Sequence, residues 1–415
     1  MKLLIAIILI IGGCSYILDL IWTLCLTFSS RVRQDRYGER CRDFDTMFLL
    51  IPAMNEFQTL SKNIPKLLDV QKQCDDFIKL KLVFIDDDSS DGTTTLLQKY
   101  AYHPDVIVVH RTKPNAQQGK GPALEYTVKR IAKMNYPEDK TIIGVIDADS
   151  IPGKKYLKEV VYAFNHSHYD LVQTRVNIYN LQQNIAVMQN FEFTVYNSLL
   201  QMARTSWGSS LASGNGQFMT LKMTNDVGWS SSLLEDCEFS IKGLFKGYRG
   251  TFINKVSIAQ EGVTGYKKLV RQRTRWCQGG FQCLNKYGKQ IIKSSAIPSM
   301  FKVFVIAFLT IPAISLLVTP AAGISLIILL IYMKTNVWAS LAVIGGLLLI
   351  EVLTNFLLII KQWRQARLDF PLKFSYLLRI IIMFDVYRWS LAIVPYKAII
   401  RAMSGDESWS KTAHD

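Results

Sequence analysis

From about residue 44 to 260, short apolar or β-branched runs alternate with stretches whose apolar positions recur at helical spacing. That is the pattern of an α/β domain on a largely parallel sheet. The runs predict strands over Phe48–Ala53, Leu82–Asp86, Val106–His110, Ile142–Asp147 and Leu171–Val176, and the stretches between them predict helices over Thr59–Gln73, Pro122–Met134 and Lys154–Asn165. On either side the pattern gives way to continuous apolar sequence. Met1–Phe28 is interrupted only by Asp19, and three more apolar blocks follow Pro298: Phe301–Tyr332, Val337–Ile360 and Phe374–Ile400. About twenty apolar residues cross a bilayer, so the first three blocks are expected to span it, with Pro312 and Pro320 able to kink or split the second. The fourth carries Arg379, Asp385 and Arg388 and reads equally as a further span or a tilted interfacial helix.

Basic residues orient the layout. Arg31, Arg33, Arg36, Arg40 and Arg42 follow the first block, and Lys361, Arg364, Arg367 and Lys373 lie between the last two. Positive charge marks the cytosolic side, so the α/β domain is expected to be cytosolic on a multi-pass protein of the plasma membrane. Two alternatives address the N-terminus: a secretory signal beginning at Lys2, or a lipoprotein box at Ile11-Gly12-Gly13-Cys14. Against both, the apolar run continues to Phe28. The resulting layout is an N-terminal span at 1–28, the α/β domain at 44–260, a polar helical segment at 261–300, a membrane region at 301–400 and a tail at 401–415.

The 49 % apolar content fits a chain partly in a membrane, and the formal charge of +15 suits nucleic acid or anionic headgroups. From Gly262 through Lys302 there are nine Lys or Arg and no Asp or Glu, next to an expected span. Headgroups attract such a segment, and no nucleic-acid-binding motif accompanies it, so no nucleic acid is expected as a partner. Seven cysteines form no CxxC pair, which reads as reduced cytosolic thiols.

In such sheets ligands bind beyond the carboxyl ends of the strands. Three expected strands run into acids there: Asn55-Glu56, Asp86-Asp87-Asp88-Ser89-Ser90-Asp91-Gly92 and Asp147-Ala148-Asp149. Any one alone is an ordinary cap or turn. Three on one rim repel unless a cation or donor groups sit among them. Asp147 and Asp149 alternate across one residue and can face one cleft, as hard oxygen ligands for Mg²⁺ or Mn²⁺ bridging to a phosphate. Gly119-Lys120-Gly121-Pro122 is either an anion site at a helix start or a plain helix start. Ser213-Gly214-Asn215-Gly216-Gln217 reads as a flexible polar turn. Glu235-Asp236 opens a helix, where acids are normally caps, although a carboxylate held near a hydroxyl can act as a base.

The ordered set Ile51-Pro52-Ala53-Met54-Asn55-Glu56, DDDSSDGT, GKGPAL, DAD, ED and QRTRW resembles the membrane-embedded family 2 glycosyltransferases, among them the cellulose, hyaluronan and poly-N-acetylglucosamine synthases. The resemblance implies a GT-A-type, Rossmann-like domain that transfers a sugar from a UDP-sugar with inversion. It implies that Asp87 reads the uracil, with Glu56 beside the nucleotide and Lys120 near uridine or phosphate. Asp147 and Asp149 would hold the metal on the pyrophosphate, and Asp236 would deprotonate the acceptor. Gln272 and Arg275 would engage the pyrophosphate, Trp276 would stack near the acceptor sugar, and Ser213 and Gly214 would line the acceptor side. Arg273 is left unassigned; Lys267, Lys268 and Arg271 are read as headgroup contacts.

Asp88 stands where the family usually has glycine and Leu234 where threonine is common, and the expected pair of N-terminal spans is lacking. No cyclic-dinucleotide domain is expected after the last apolar block. The leading expectation is processive synthesis and export of a β-linked polysaccharide. The alternative is addition of one sugar to a membrane lipid. The donor sugar and any partner subunits stay open.

Overall fold

The computed structural model describes residues 2–30, 38–332, 337–365 and 374–406. Arg31, Arg33, Arg36, Arg367 and Lys373, and the tail beyond residue 406, lie outside the described residues.

In chain order the elements are α1 (Lys2–Ser29), β1 (Thr46–Ala53), α2 (Phe57–Cys74), β2 (Lys79–Asp87), α3 (Thr93–Gln98), β3 (Val106–Arg111), α4 (Lys120–Ala132), β4 (Thr141–Val145), α5 (Lys154–Asn165) and β5 (Leu171–Ile178). There follow α6 (Asn184–Phe191), a π-helical turn (Glu192–Asn197), α7 (Ser198–Trp207), β6 (Gln217–Thr220), α8 (Leu221–Val227), α9 (Glu235–Phe245), β7 (Gly250–Gln260) and α10 (Tyr266–Lys293). The chain ends with α11 (Ser299–Tyr332), α12 (Val337–Gln365), α13 (Phe374–Ser390), a 3₁₀ turn (Leu391–Ile393) and α14 (Val394–Met403).

The strands form one seven-stranded sheet in the order β3-β2-β1-β4-β6-β5-β7. β1 pairs parallel with β2 and β4, and β2 with β3. β6 runs antiparallel to both β4 and β5, and β5 and β7 are again parallel. The central strands are near-continuous apolar runs because both faces are covered. Leu49, Ile51 and Phe84 pack under Leu60 and Ile64 of α2 and Phe164 of α5, while Phe48, Leu50 and Ile85 pack with Leu124 and Val128 of α4 and Phe239 of α9.

By length and composition, two helices among the described residues can cross a membrane, α11 and α12. α11 runs without a break through both Pro312 and Pro320, so neither proline splits it. α1 packs along α11, with Trp22 stacked on Phe304 at 5.6 Å between ring centroids. The last apolar block is not one α-helix among the described residues. It divides at the 3₁₀ turn, and α13 at 17 residues lies with Tyr376, Ile380, Phe384 and Tyr387 packed against α6 and the π-helical turn. Arg42 faces the domain, bonding the Tyr169 carbonyl at 3.1 Å and Asp170 at 3.2 Å.

Candidate active site

The acids at the strand ends divide by what they hold. Asp86 is a brace within the domain, accepting from Thr94 Oγ1 at 2.6 Å and facing His110 Nδ1 at 2.8 Å. Asp91 accepts from the Thr93 hydroxyl at 2.6 Å and from the Phe57 N–H at 3.0 Å. Burial would raise its carboxyl, and these donors outweigh it, holding the group below the ordinary range. It therefore serves as a turn and helix-start cap. Asp87 accepts from Arg111 at 2.6 Å and from the Gln117 N–H at 3.0 Å. Burial raises it, against Arg111 and that N–H. Both oxygens of Asp87 are thus engaged by protein, although the residue lies at the cavity wall. Asp88 sits at φ 61°, the left-handed region that glycine enters at no steric cost.

Beyond β4, Lys120 Nζ lies 2.6 Å from Asp147 Oδ1 and 3.0 Å from the Gly214 carbonyl. Burial would lower this ammonium, but Asp147, Glu235 and Asp236 hold it above its ordinary value. The side chain at the helix start is therefore already spent on a carboxylate. Asp149 Oδ2 accepts the Glu261 N–H at 2.6 Å. No group of three or more His, Cys, Asp or Glu able to hold a metal is found among the described residues. Asp147, with its side chain 41 % exposed, and Asp149 are hard oxygen donors at one rim, a set that fits Mg²⁺ or Mn²⁺ when phosphate oxygens complete the shell.

The turn at 213–217 is built rather than flexible. Asn215 Nδ2 donates to Ser150 Oγ and Gln260 Oε1, and its Oδ1 accepts the Asp147 N–H. Gly214 adopts φ 83°, and a Cβ there would lie 3.3 Å from Asp236 Oδ2. The glycine thus lets the turn come up against the carboxylate at the start of α9. Gly121 does the same from α4, since a Cβ there would stand 2.0 Å from the Ser230 carbonyl. α9 is held so that Asp236 faces the cavity. Burial, and then the neighbouring Glu235, push the Asp236 carboxyl up to about 7, against the Cys237 N–H, Lys120 and Arg275.

Gln272, Arg275 and Trp276 share one face of α10, as spacings of three and four require. Arg273 is a brace. It pairs with Glu192 at 2.9 Å, meets Tyr387 Oη at 3.3 Å and lies 4.4 Å from the centre of the Trp276 ring. Lys268 lines the main cavity, whereas Lys267 and Arg271 line a separate recess with Lys397 and Arg401.

Glu56, Asp87, Lys120, Asp147, Asp149, Ser213, Gly214, Asp236, Gln272, Arg275 and Trp276 all border one cavity of about 800 Å³. The same cavity is also bordered by Phe308, Leu309, Ile311 and Pro312 of α11 and by Leu391, Val394 and Pro395. Sequence reasoning missed Glu192, Gln201 and Arg204, which also border it. Their segment, α6 to α7, has no strand-like alternation and holds a π-helical turn, a feature frequent at functional sites.

This fold and rim of carboxylates are those of a glycosyltransferase. Residues 142–402, more than half the chain, match the glycosyl transferase family group 2, and residues 48–227 match glycosyl transferase family 2. The chain therefore belongs to the family 2 glycosyltransferases and is an enzyme. It is 27 % identical over 249 residues to a β-monoglucosyldiacylglycerol synthase of Trichormus variabilis, covering 59 % of this chain and 51 % of that one. It is 24 % identical over 289 residues to the probable glycosyltransferase YdaM of Bacillus subtilis, covering 68 % and 66 %. The chain spans about half the length of the first curated relatives it matches. Among solved structures, the mannosyltransferase PcManGT of Pyrobaculum calidifontis, in complex with GDP-Man and Mn²⁺, superposes with a TM-score of 0.66 over 97 % of this chain and 99 % of that one at 17 % identity, a likeness of fold.

Proposed function

We propose that the enzyme transfers a sugar from a UDP-sugar, with inversion, to the hydroxyl of a membrane lipid at the cytosolic face of the plasma membrane. The observation that carries the reading is that one cavity is bordered both by the carboxylate rim with Asp236 and by apolar residues of α11 and α14. The donor diphosphate belongs at the rim, beside Asp147, Asp149 and Lys120, with Gln272 and Arg275 approaching from α10. Mg²⁺ or Mn²⁺ held by Asp147 and Asp149 would neutralise charge on the departing UDP. Asp236, raised to about 7, is matched to take a proton from a hydroxyl near neutral pH. The acceptor oxygen then attacks the anomeric carbon as the bond to UDP breaks.

A lipid is favoured over a sugar chain by two features. The cavity wall includes Phe308, Leu309, Ile311, Leu391 and Val394, apolar surface that suits acyl chains better than sugar hydroxyls. The Trp276 ring, which would be a platform for a sugar, is packed against the Arg273 guanidinium. Nucleic acid finds no support in the basic helix, where Arg273 is paired with Glu192 and Lys286 with Glu238 at 2.8 Å.

The test uses the full chain in lipid vesicles containing diacylglycerol, with a panel of radiolabelled UDP-sugars. Label that migrates as glycolipid on thin-layer chromatography supports the reading, and label that remains at the origin as polymer overturns the choice of acceptor. Asp236→Asn is expected to abolish either product.

A further inference from the structure

Arg204, on α7, is 5 % exposed and borders the same cavity. Its guanidinium lies over the Phe308 ring at 4.3 Å and the Phe304 ring at 5.4 Å. Nε and Nη2 are buried, with no hydrogen-bond partner among the described residues. Rings attract the charge but accept little from in-plane N–H groups. Burial lowers this group to about 10, with Cys237 and Asp236 opposing the fall, so it stays a cation at neutral pH. Two other cations of the cavity are committed, Lys120 to Asp147 and Arg273 to Glu192.

We propose that Arg204 anchors an anionic group of the acceptor, so that the lipid accepted is one whose headgroup carries a phosphate near the hydroxyl presented to Asp236. This rests on the lipid reading above. Two observations favour the acceptor end over the donor diphosphate as the place of the anion. The rings that Arg204 lies over belong to α11, a helix long and apolar enough to cross a membrane. Phe304, under Arg204, packs in one cluster with Cys237, the neighbour of Asp236, and Arg204 and Asp236 border the same cavity. A guanidinium fork grips two oxygens of a phosphate at once, which fixes the headgroup while its hydroxyl reacts. In the transfer the hydroxyl proton passes to Asp236, the new C–O bond forms at the anomeric carbon, and UDP leaves with the electron pair of the old one; the lipid phosphate is unchanged.

The experiment measures sugar transfer by the full chain, in neutral phosphatidylcholine vesicles, to dioleoylglycerol, dioleoylphosphatidylglycerol and soluble glycerol 3-phosphate. The wild type is expected to show a kcat/KM for phosphatidylglycerol at least tenfold above that for dioleoylglycerol. Arg204→Gln is expected to remove most of that ratio through KM for the anionic lipid, and Arg204→Lys to keep part of it. Because the ratio is taken within one preparation, it does not depend on the fraction of a variant that folds. Equal use of the two lipids by the wild type, or an unchanged ratio in Arg204→Gln, overturns the proposal while leaving lipid transfer standing. Glycerol 3-phosphate used as well as the lipid overturns the headgroup as the source of the anion. Absence of product from every lipid, with polymer formed instead, sinks the acceptor reading itself.

Discussion

Lys120 and Asp147 form an ion pair of 2.6 Å that ties the start of α4 to the end of β4. The same ammonium reaches the Gly214 carbonyl, so one side chain joins the carboxylate rim to the turn beside Asp236. If the ammonium shares its charge with a bound diphosphate, Lys120→Met should weaken UDP binding in Mn²⁺ by about tenfold, a loss of about 1.4 kcal/mol. Titration calorimetry with UDP measures it. Unchanged affinity would leave Lys120 as a structural tie only.

If Asp236 is the base proposed above, it sets a pH profile. Only its ionised form can take the proton, so kcat/KM should rise with pH through about 7 and then level. Its contribution to stability has the opposite sign. The folded carboxyl binds its proton more tightly than an unfolded one with the ordinary value of 3.8. That contribution is therefore full below the unfolded value and is lost as pH rises through the folded one. Asp236→Asn should lower kcat by about 10²–10⁴-fold and should flatten this dependence of thermal stability between pH 4 and 8. A variant with an unaltered pH–rate profile and retained transfer would remove Asp236 from the chemistry.

What was legible in the sequence follows the range of the forces involved. β1 to β5 and α2, α4 and α5 were found within a few residues because local periodicity specifies them. The end of β4 was placed two residues late: the Ile146 N–H still bonds Leu50 O, but the chain then leaves the ladder to deliver Asp147. β6, four residues long and antiparallel, has too short a run to show a period, and β7 was not anticipated. The motif residues converge on one cavity, yet motif reading had no view of who holds whom. Asp87 is gripped by Arg111, Lys120 by Asp147 and Arg273 by Glu192, and each pair joins residues far apart in the chain. Arg204 gave no local signal at all.

The Arg273–Glu192–Tyr387 contact joins α10, the π-helical turn and α13. Tyr387 Oη donates to Glu192 Oε2 at 2.6 Å, and Arg273 reaches the same oxygen. The Arg273 side chain is 11 % exposed, and removing one partner of a buried pair leaves an uncompensated charge costing about 3 kcal/mol. Glu192→Gln or Arg273→Met should therefore lower the apparent melting temperature measured in detergent. Combining them should cost less than the sum of the two, as expected for coupled residues. Strict additivity would show that the ion pair contributes nothing of its own.

Asp88 offers a substitution in the opposite direction. It holds φ 61°, where a Cβ costs about 1 kcal/mol that glycine avoids, although aspartate tolerates this region better than most residues. The bond it makes to the Gln117 side chain at 3.0 Å uses the backbone carbonyl, which glycine retains. Its carboxylate also adds to the charge that raises neighbouring Asp87. Asp88→Gly therefore relieves backbone strain and like-charge repulsion together, offset in part by the greater freedom of glycine in the unfolded chain. The expected outcome is a higher melting temperature with UDP affinity changed less than about twofold, about 0.4 kcal/mol. A drop in stability would mean that the Asp88 carboxylate makes an interaction stronger than the strain it sits in.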